Sequence, residues 1–248
     1  MAAVTPLLST QDLSRSFGGL KAVDGVDFAI SKGEIRAIIG PNGAGKTTFV
    51  SLVCGRILPS SGKVFFEGRD ISRMPAHRRV RAGIAYTFQI TSIFPNLTVF
   101  DNVALAVQRH LLNGKASRFS EHALRRQSLE ALEKVGLGPY AERRAGNLSY
   151  GHQRLLEVAM GLALKPRLLI LDEPTQGLSD GEIEGFIGLV REIGSASTVL
   201  LIEHNMDVVM ALAERITVME QGRILAEGTP EEIRANGEVQ RAYLGSAA

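Results

Sequence analysis

A glycine-rich segment near the start of the chain has the residue types and the spacing to hold phosphate. It reads Gly40-Pro41-Asn42-Gly43-Ala44-Gly45-Lys46-Thr47-Thr48, in which a glycine and four residues precede Gly-Lys-Thr. The glycines allow the backbone to curl so that several N–H groups point into one concavity. We expect Lys46 to reach the β- and γ-phosphates of a nucleotide and the hydroxyl group of Thr47 to bind Mg²⁺.

A second group of chemistry-bearing residues is a pair of adjacent carboxylates. Asp172 and Glu173 directly follow the apolar run Leu168–Leu171, and open α/β sheets bind ligands where their parallel strands end. Asp172 is positioned to hold Mg²⁺ through water, and Glu173 is the candidate general base for a water that attacks the γ-phosphate. The alternative is that both carboxylates cap the next helix, which would be favoured if the glycine-rich segment were absent.

These side chains need secondary-structure elements that bring them to one place, and the apolar runs of the sequence predict them. Near-continuous runs at Glu34–Ile39, Leu168–Leu171 and Thr198–Ile202 predict strands that are buried on both faces. They alternate with helical patterns, which is typical of an α/β fold with a largely parallel sheet. One helix is predicted from Lys46 to Cys54, so that the positive end of its dipole faces the phosphates.

Two other parts of the chain depart from this pattern. Val26–Ile30 alternates between apolar and polar residues, and Lys63–Glu67 follows a Pro-Ser-Ser-Gly turn, which predicts an antiparallel N-terminal region. Between Phe100 and Glu133 the pattern is helical, and a further helix is predicted near Gly151–Leu164. Because strands return afterwards, we interpret the helical stretch as an insertion into one α/β domain.

Composition narrows the class of protein. Of the 248 residues, 45% are hydrophobic and 22% are charged, as in ordinary globular domains. With 28 basic and 26 acidic residues the chain lacks the basic excess of a dedicated nucleic-acid binder, so we interpret His77–Arg81 as a solvated helical face. The one cysteine, Cys54, excludes a disulfide framework. With neither a signal peptide nor an apolar run near ~18 residues, the sequence predicts a soluble, cytoplasmic protein.

A third segment discriminates among the proteins that share a phosphate-binding loop. It reads Leu148-Ser149-Tyr150-Gly151-His152-Gln153-Arg154 and precedes a predicted helix. Here the chain resembles the ATP-binding subunits of ABC transporters, whose signature reads LSGGQ. Ser149 and Gly151 match, whereas Tyr150 and His152 replace a glycine and a glutamine. The resemblance implies that Ser149 and the backbone at Gly151 bind the γ-phosphate of ATP held by another subunit, and a helix N-terminus suits an anion.

The resemblance also assigns roles to further residues, one by one. Gln89, in the sequence Tyr-Thr-Phe-Gln, is similar to the family's glutamine that senses Mg²⁺ and the attacking water. His204 is similar to its switch histidine, which contacts the γ-phosphate, and Phe17 lies where an aromatic residue stacks on adenine. Without the resemblance we would interpret His204 as structural and Phe17 as a core residue. Ser179 stands where the family usually has an aspartate.

Several segments point to a narrower group within the superfamily. Phe94–Val99, Ile202–Met206 and Glu227–Gly245 resemble the ATPase subunits of branched-chain amino acid importers. Tyr86 replaces the arginine that such subunits have before Thr-Phe-Gln. The resemblance covers essentially the whole chain.

This resemblance implies a complete architecture. Residues 1–248 would form a single ABC ATPase domain of the α/β class. Its P-loop NTPase (RecA-like) core would carry an N-terminal antiparallel β subdomain and an inserted α-helical subdomain. We place the core at residues 1–90 and 160–248, and the helical subdomain with the signature at residues 91–159.

The resemblance further implies ATP and Mg²⁺ as ligands and several protein partners. These are a second ATP-binding subunit (identical or different), transmembrane permease subunits and, indirectly, an extracytoplasmic solute-binding protein, but no nucleic acid. The chain would lie at the cytoplasmic face of the inner membrane and power import of a branched-chain amino acid or a related compound. Phe94, Pro95 and Leu97 would dock a membrane subunit, unless they pack beneath the helices as core residues.

Two other functions remain open. A soluble ATPase of the same superfamily, acting on DNA or ribosomes, usually has a long coiled coil or two tandem ATPase units, and 248 residues hold neither. A phosphoryl-transfer enzyme with the same phosphate loop would need an acceptor site. It would also leave Leu148–Gln153, Glu173 and His204 unexplained.

Overall fold

Two sheets and the helices around them make up the described part of the chain. In this computed structural model the described residues are 5–87, 92–112 and 120–244. The strands are β1 (Leu8–Phe17), β2 (Leu20–Ile30), β3 (Ile35–Ile39), β4 (Ser61–Phe66), β5 (Arg69–Asp70), β6 (Ile84–Thr87), β7 (Leu168–Asp172), β8 (Thr198–Ile202), β9 (Arg215–Glu220) and β10 (Arg223–Gly228). The helices are α1 (Lys46–Cys54), α2 (Ala76–Ala82), α3 (Val99–Leu112), α4 (Glu121–Lys134), α5 (Tyr150–Ala163), α6 (Asp180–Gly194), α7 (Met206–Leu212), α8 (Pro230–Ala235) and α9 (Gly237–Leu244).

The N-terminal region forms an antiparallel sheet, whose described strands have the order β2-β1-β4-β5. Leu8 of β1 lies opposite Ile30 of β2 on one side and Phe66 of β4 on the other. All three side chains are buried, because alternate residues of a half-buried strand face the core. The antiparallel region predicted from the alternating pattern is therefore confirmed, although β4 begins and ends slightly earlier than predicted.

The second sheet positions the chemistry-bearing residues. Its strand order in the described chain is β10-β9-β3-β8-β7-β6, and every neighbouring pair is parallel except β10 with β9. All residues of β3, β7 and β8 are buried, which explains their near-continuous apolar sequences. Because parallel strands point the same way, β3, β6, β7 and β8 all end at the same edge of this sheet.

The predicted helical insertion is present and packs around α5. Helices α3, α4 and α5 contact one another, and Val103, Leu132 and Leu156 from these helices are fully buried in a shared core. The boundaries of a helical subdomain at residues 91–159 stay a prediction. Within the described ranges, no helix is both long and apolar enough to cross a membrane.

The interpretation of residues 77–81 as a solvated face is wrong for one residue, Arg79, which is fully buried. Its guanidinium group donates hydrogen bonds to the carbonyl oxygens of Leu52 and Val53, both at 2.7 Å, and to that of Ser72 at 3.0 Å. Leu52 and Val53 lie in the last turn of α1, where carbonyl groups lack partners within the helix. Arg79 is therefore buried because it caps the helix that follows the glycine-rich segment. The other basic residues of this segment, His77, Arg78 and Arg81, are exposed as predicted.

Candidate active site

The glycine-rich segment, called here the phosphate loop (residues 40–48), connects β3 to α1. Gly40, Gly43 and Gly45 all have positive φ angles, of 153°, 82° and 97°. A Cβ atom on Gly40 would lie 2.1 Å from the carbonyl oxygen of Met219, and one on Gly45 would lie 2.3 Å from that of Ala22. The loop thus requires glycine both for its backbone conformation and because β9 and β2 press against it.

Lys46 is the first residue of α1 and its side chain folds back over the phosphate loop. Its ammonium group donates to the carbonyl oxygens of Gly40 at 2.6 Å and Pro41 at 3.1 Å. Burial lowers the pKa of Lys46, and the nearby carboxylates of Glu173 and Asp172 oppose this shift. The one mobile cation of the loop is thus held beside both carboxylates, where phosphate oxygens could accept its hydrogen bonds.

A cavity of about 650 Å³ opens over the phosphate loop, which is within the usual size of a small-molecule site. Its lining includes the loop from Asn42 to Thr48, Phe17 at the end of β1, and Glu173. Phe17 is 46% exposed, so it is not a core residue. Its ring lies under the guanidinium group of Arg15, whose Cζ atom is 4.6 Å from the ring centre. The exposed ring borders the same cavity as the phosphate loop and Glu173.

Asp172 ends β7 and is almost completely buried, with 1% of its surface exposed. Its Oδ2 atom accepts a hydrogen bond from the Tyr86 hydroxyl group at 2.6 Å, while its Oδ1 atom is buried without a hydrogen-bond partner among the described residues. Burial raises the pKa of Asp172, and the Tyr86 hydrogen bond opposes this shift. Mg²⁺ prefers oxygen ligands. The unpartnered Oδ1 atom of Asp172 and the hydroxyl group of Thr47, which follows Lys46 in the phosphate loop, are oxygen donors of the kind that fits this ion.

Glu173 begins the turn after β7 with a φ angle of +47°. This left-handed conformation costs about 1–3 kcal/mol for a residue with a side chain. Its backbone N–H donates to the carbonyl oxygen of Ile202 at 2.8 Å, and its half-buried side chain lines the cavity. The carboxylate pair does not cap the next helix, because α6 begins at Asp180, where Ser179 is the N-cap residue and is bonded to Glu182.

His204 follows β8 at the same edge of the sheet. Its side chain is 60% exposed, and its Nδ1 atom lies 3.6 Å from the Oε2 atom of Glu203. The next residue, Asn205, caps α7 by accepting a hydrogen bond from the backbone N–H of Asp207 at 3.0 Å. His204 therefore lies just after β8, and Glu173 lies just after the neighbouring parallel strand β7.

Sequence reasoning missed two residues at this edge, Tyr86 and Glu203. In the sequence, Tyr86 stands out only because it replaces the family's arginine, yet its hydroxyl group donates a hydrogen bond to Asp172. Glu203 is fully buried and joins the segments that follow β7 and β8. The available signals were a glutamate directly after an apolar strand and a hydroxyl group one strand away from Asp172.

The signature segment lies at the start of α5, away from the cavity. Ser149 is the exposed N-cap residue, and its Oγ atom accepts a hydrogen bond from the backbone N–H of His152 at 3.3 Å. Gly151 is buried, and a Cβ atom there would lie 2.6 Å from the Oε1 atom of Glu182. Neither Ser149 nor Gly151 lines the cavity over the phosphate loop. These two predicted site residues are therefore not brought together with the others within one chain.

Gln89, predicted to contact Mg²⁺ and the attacking water, lies outside the described residues. The last described residue before it is Thr87, which ends β6 next to β7. Its role stays a prediction.

Comparison with known proteins shows the family. The sequence profile of the ABC transporter family matches residues 23–176, which contain the phosphate loop, the signature segment and both carboxylates. The chain belongs to the ABC transporter family. As an ATP-binding cassette of this family it is an ATPase. A second profile, of the branched-chain amino acid ATP-binding cassette transporter, matches residues 223–248 of the cassette.

Relatives match the cassette over nearly its whole length. The high-affinity branched-chain amino acid transport ATP-binding protein BraF of Pseudomonas aeruginosa is 42% identical, over 98% of this chain and 99% of the relative. The Escherichia coli protein of the same description, LivG, is 40% identical with the same coverage. The lipopolysaccharide export system ATP-binding protein LptB of Haemophilus influenzae is 33% identical, over 96% of this chain and 97% of the relative.

Solved structures of other cassettes have the same fold. A nucleotide-free ATP-binding cassette from an ABC transporter superposes with a TM-score of 0.86 at 30% identity, covering 96% of this chain and 99% of the other. The ADP conformation of an ABC transporter cassette gives 0.85 at 30% identity, covering 97% and 99%. The predicted α/β fold with a P-loop NTPase core is confirmed.

Proposed function

We propose that the cassette powers the import of a branched-chain amino acid, or a related compound, through a membrane ABC transporter. The single observation that carries the proposal is the cavity in which the phosphate loop, Phe17 and Glu173 meet. The solute class is supported by the descriptions of the relatives at 40–42% identity. The cassette would lie at the cytoplasmic face of the inner membrane, attached to permease subunits.

ATP would occupy this cavity with its adenine on Phe17 and its phosphates on the loop. Backbone N–H groups between Gly40 and Thr48 and the ammonium group of Lys46 would hold the β- and γ-phosphates. Thr47 and Asp172, with Gln89 as a further predicted ligand, would hold Mg²⁺. When bound, the ion would offset negative charge on the phosphate oxygens.

Hydrolysis would depend on two residues that lie just beyond the ends of β7 and β8, Glu173 and His204. Glu173 would accept a proton from a water molecule while the oxygen atom of that water attacks the γ-phosphorus atom. The bond between the γ-phosphorus atom and the oxygen that bridges the β- and γ-phosphates would break, which releases ADP and inorganic phosphate. His204, which is exposed beside this edge, would donate a hydrogen bond to the γ-phosphate.

A second ATP-binding subunit, identical or different, would complete the site. Ser149 is exposed at a helix N-terminus and does not line the cavity of its own chain, so we place it against ATP held by the partner. ATPase activity per chain should then rise with protein concentration. Activity that stays constant on dilution, with a monomer in light scattering, would contradict this arrangement.

Permease subunits would dock on the surface near Gln89–Val99, of which residues 92–99 are among the described residues and 89–91 are not. Phe94 and Leu97 are 53% and 37% exposed, and Pro95 is exposed as well, so these apolar residues do not pack beneath the helices as core. A solute-binding protein would act indirectly, through the permease.

The docking test introduces a cysteine into the docking surface, and it is practical because the one native cysteine of the chain, Cys54, should not react. Cys54 is buried, which raises the pKa of its thiol to about 12, so a thiol-reactive cross-linker should react at an introduced cysteine instead. We expect Phe94→Cys in complexes purified from membranes to cross-link to a membrane-spanning subunit. Leu58→Cys, at an apolar residue of similar exposure (55%), is the matched control. Copurification with DNA or ribosomes, and no cross-link from residue 94, would instead favour the soluble ATPase.

A further inference from the structure

Glu203 is a buried carboxylate whose hydrogen bonds join two separate segments of the active site. Its Oε1 atom accepts from the backbone N–H of Thr175, at 3.2 Å, and from the Thr175 hydroxyl group. Its Oε2 atom accepts from the backbone N–H groups of His204 at 2.7 Å and Asn205 at 3.0 Å. Each carboxylate oxygen thus binds one segment.

The first segment contains Glu173, whose left-handed backbone must be held by its surroundings. Strained conformations persist at functional sites only where neighbouring contacts over-determine them. One such contact is the hydrogen bond from the backbone N–H of Glu173 to the carbonyl oxygen of Ile202. The second is Glu203, which binds Thr175 two residues farther on. The end of β8 therefore holds both sides of the turn that presents Glu173.

The second segment contains His204, whose side chain has little packing of its own. Because the imidazole is 60% exposed, its position depends mainly on where its backbone is held. The backbone N–H groups on both sides of its Cα atom, those of His204 and Asn205, are bound by Glu203. A displacement of this carboxylate would move both segments relative to each other.

The chemistry of the contacts favours a carboxylate over an amide at this position. Four groups donate hydrogen bonds to the two side-chain oxygens of Glu203, and each carboxylate oxygen can act as an acceptor. A glutamine would keep the shape but would direct its NH₂ group at two of these donors. The donors that face this NH₂ group would then lack an acceptor, which is unfavourable for buried groups. We expect the two segments to shift relative to each other as a result.

We propose that Glu203 is a positioning residue that sets the backbone of the general base and of the γ-phosphate-contacting histidine relative to each other. This role rests on the proposed function, since it presupposes that Glu173 and His204 act on ATP. Glu203 itself touches no ATP in this arrangement, so ATP affinity should not depend on it.

The main test is Glu203→Gln in the full chain. We expect kcat for ATP hydrolysis to fall about tenfold to hundredfold, because a misplacement of catalytic groups by up to about 1 Å can cost that much. KM and ATP affinity should stay within about twofold of the values for the unsubstituted chain. Glu34→Gln is the matched control, because Glu34 is a buried glutamate (6% exposed) that binds Arg36 and Ser31. Both variants lose buried hydrogen bonds, but only the first should lose kcat.

A second pair of variants tests the link through Thr175 and remains informative if Glu203→Gln folds poorly. Thr175→Val removes the hydroxyl donor and should lower kcat, whereas Thr175→Ser keeps the donor and should retain it. In the double variant Glu203→Gln/Thr175→Val, kcat should be no lower than in Glu203→Gln, because both substitutions break the same contact.

Three results would overturn the positioning role. They are an unchanged kcat in Glu203→Gln, an equal loss of kcat in Glu34→Gln, and equal kcat values for the two Thr175 variants. In each case the unsubstituted chain would still hydrolyse ATP and lose activity on Glu173→Gln. Absence of ATP binding or hydrolysis in the unsubstituted chain would instead overturn the proposed function, and the positioning role with it.

Discussion

The phosphate loop and the signature segment are both predicted to bind the phosphates of ATP, but they are held in place differently. In the loop, carbonyl oxygens of Met219 and Ala22 come so close to Gly40 and Gly45 that no side chain fits. The loop therefore tolerates no substitution at these two glycines. The signature segment, in contrast, is contacted mainly by side chains.

The side-chain contacts of the signature segment centre on Tyr150, which replaces a glycine of the family pattern. Its ring lies against Gly177, where a Cβ atom would be 2.9 Å from the ring carbons. Its hydroxyl group accepts a hydrogen bond from Arg154 at 2.9 Å, and Arg154 also forms a buried ion pair with Glu157 at 3.0 Å. A segment held by interchangeable side chains can depart from the family sequence, and this one does.

The largest effect is expected on the loop side of the comparison, from Lys46→Ala. This substitution removes the cation held over the loop, so ATP binding should fall below detection in calorimetry. Lys21→Ala is the matched control, since Lys21 lines the same cavity but is 65% exposed and pairs with Asp24. Unchanged ATP affinity in Lys46→Ala would show that the loop is not the binding site.

Glu173→Gln should separate hydrolysis from binding on the same side. The amide keeps the shape of the side chain but cannot accept the proton of water, so turnover should fall about 10²- to 10⁴-fold with ATP binding retained. It also removes a negative charge facing the triphosphate, so an inactive, ATP-filled dimer should accumulate in size exclusion with Mg-ATP. Glu192→Gln, an exposed position on α6, serves as control. A monomer that hydrolyses ATP at the parent rate would refute the assignment.

On the signature side, Gly151→Ala should lower activity without affecting the loop. The new Cβ atom would meet the Oε1 atom of Glu182 at 2.6 Å and the Cδ2 atom of Leu178 at 2.9 Å, so these side chains must move and displace the segment. We expect unchanged ATP affinity and about tenfold lower turnover at high protein concentration. Gly188→Ala on α6 has no neighbour within 4 Å and should retain activity. Loss of ATP affinity in Gly151→Ala would mean that the two regions do not act separately.

The smallest effect is expected from Tyr150→Phe, which tests how the signature segment is held. Removing the hydroxyl group deprives Arg154 of one acceptor but leaves its ion pair with Glu157, so the free energy of unfolding should fall by about 1 kcal/mol. Urea unfolding measures this change, and ATP affinity in calorimetry should not change. An unaltered unfolding midpoint would show that the hydroxyl group does not stabilise the segment.

Elements defined by local sequence were predicted well. Helix α1 and strand β8 have the predicted bounds, and β3 begins one residue later than predicted. These elements are marked by uninterrupted apolar residues or by glycines, which act on the backbone of their own neighbours in the chain. The same reasoning placed Asp172 and Glu173 at the end of a buried strand.

Residues whose role depends on distant parts of the chain were missed or misread. Arg79 was expected at the surface, because nothing near it in sequence indicates the unpartnered carbonyl groups of α1. Tyr86 and Glu203 likewise find their partners, Asp172 and Thr175, only across neighbouring strands. A polar side chain has the same sequence signal whether its partner is water or a buried group, so these contacts could not be predicted.

The sequence by itself determined the fold class, the phosphate loop and the pair of carboxylates, because each depends on the conformation of a short stretch of backbone. Only the tertiary structure decided what holds Glu173 and His204 in place and which oxygen of Asp172 stays unpartnered. Those properties arise where parallel strands end side by side, and strand order in a sheet is set by packing of the whole core. The signature segment lies apart from the cavity for the same reason, since α5 packs with the helical insertion.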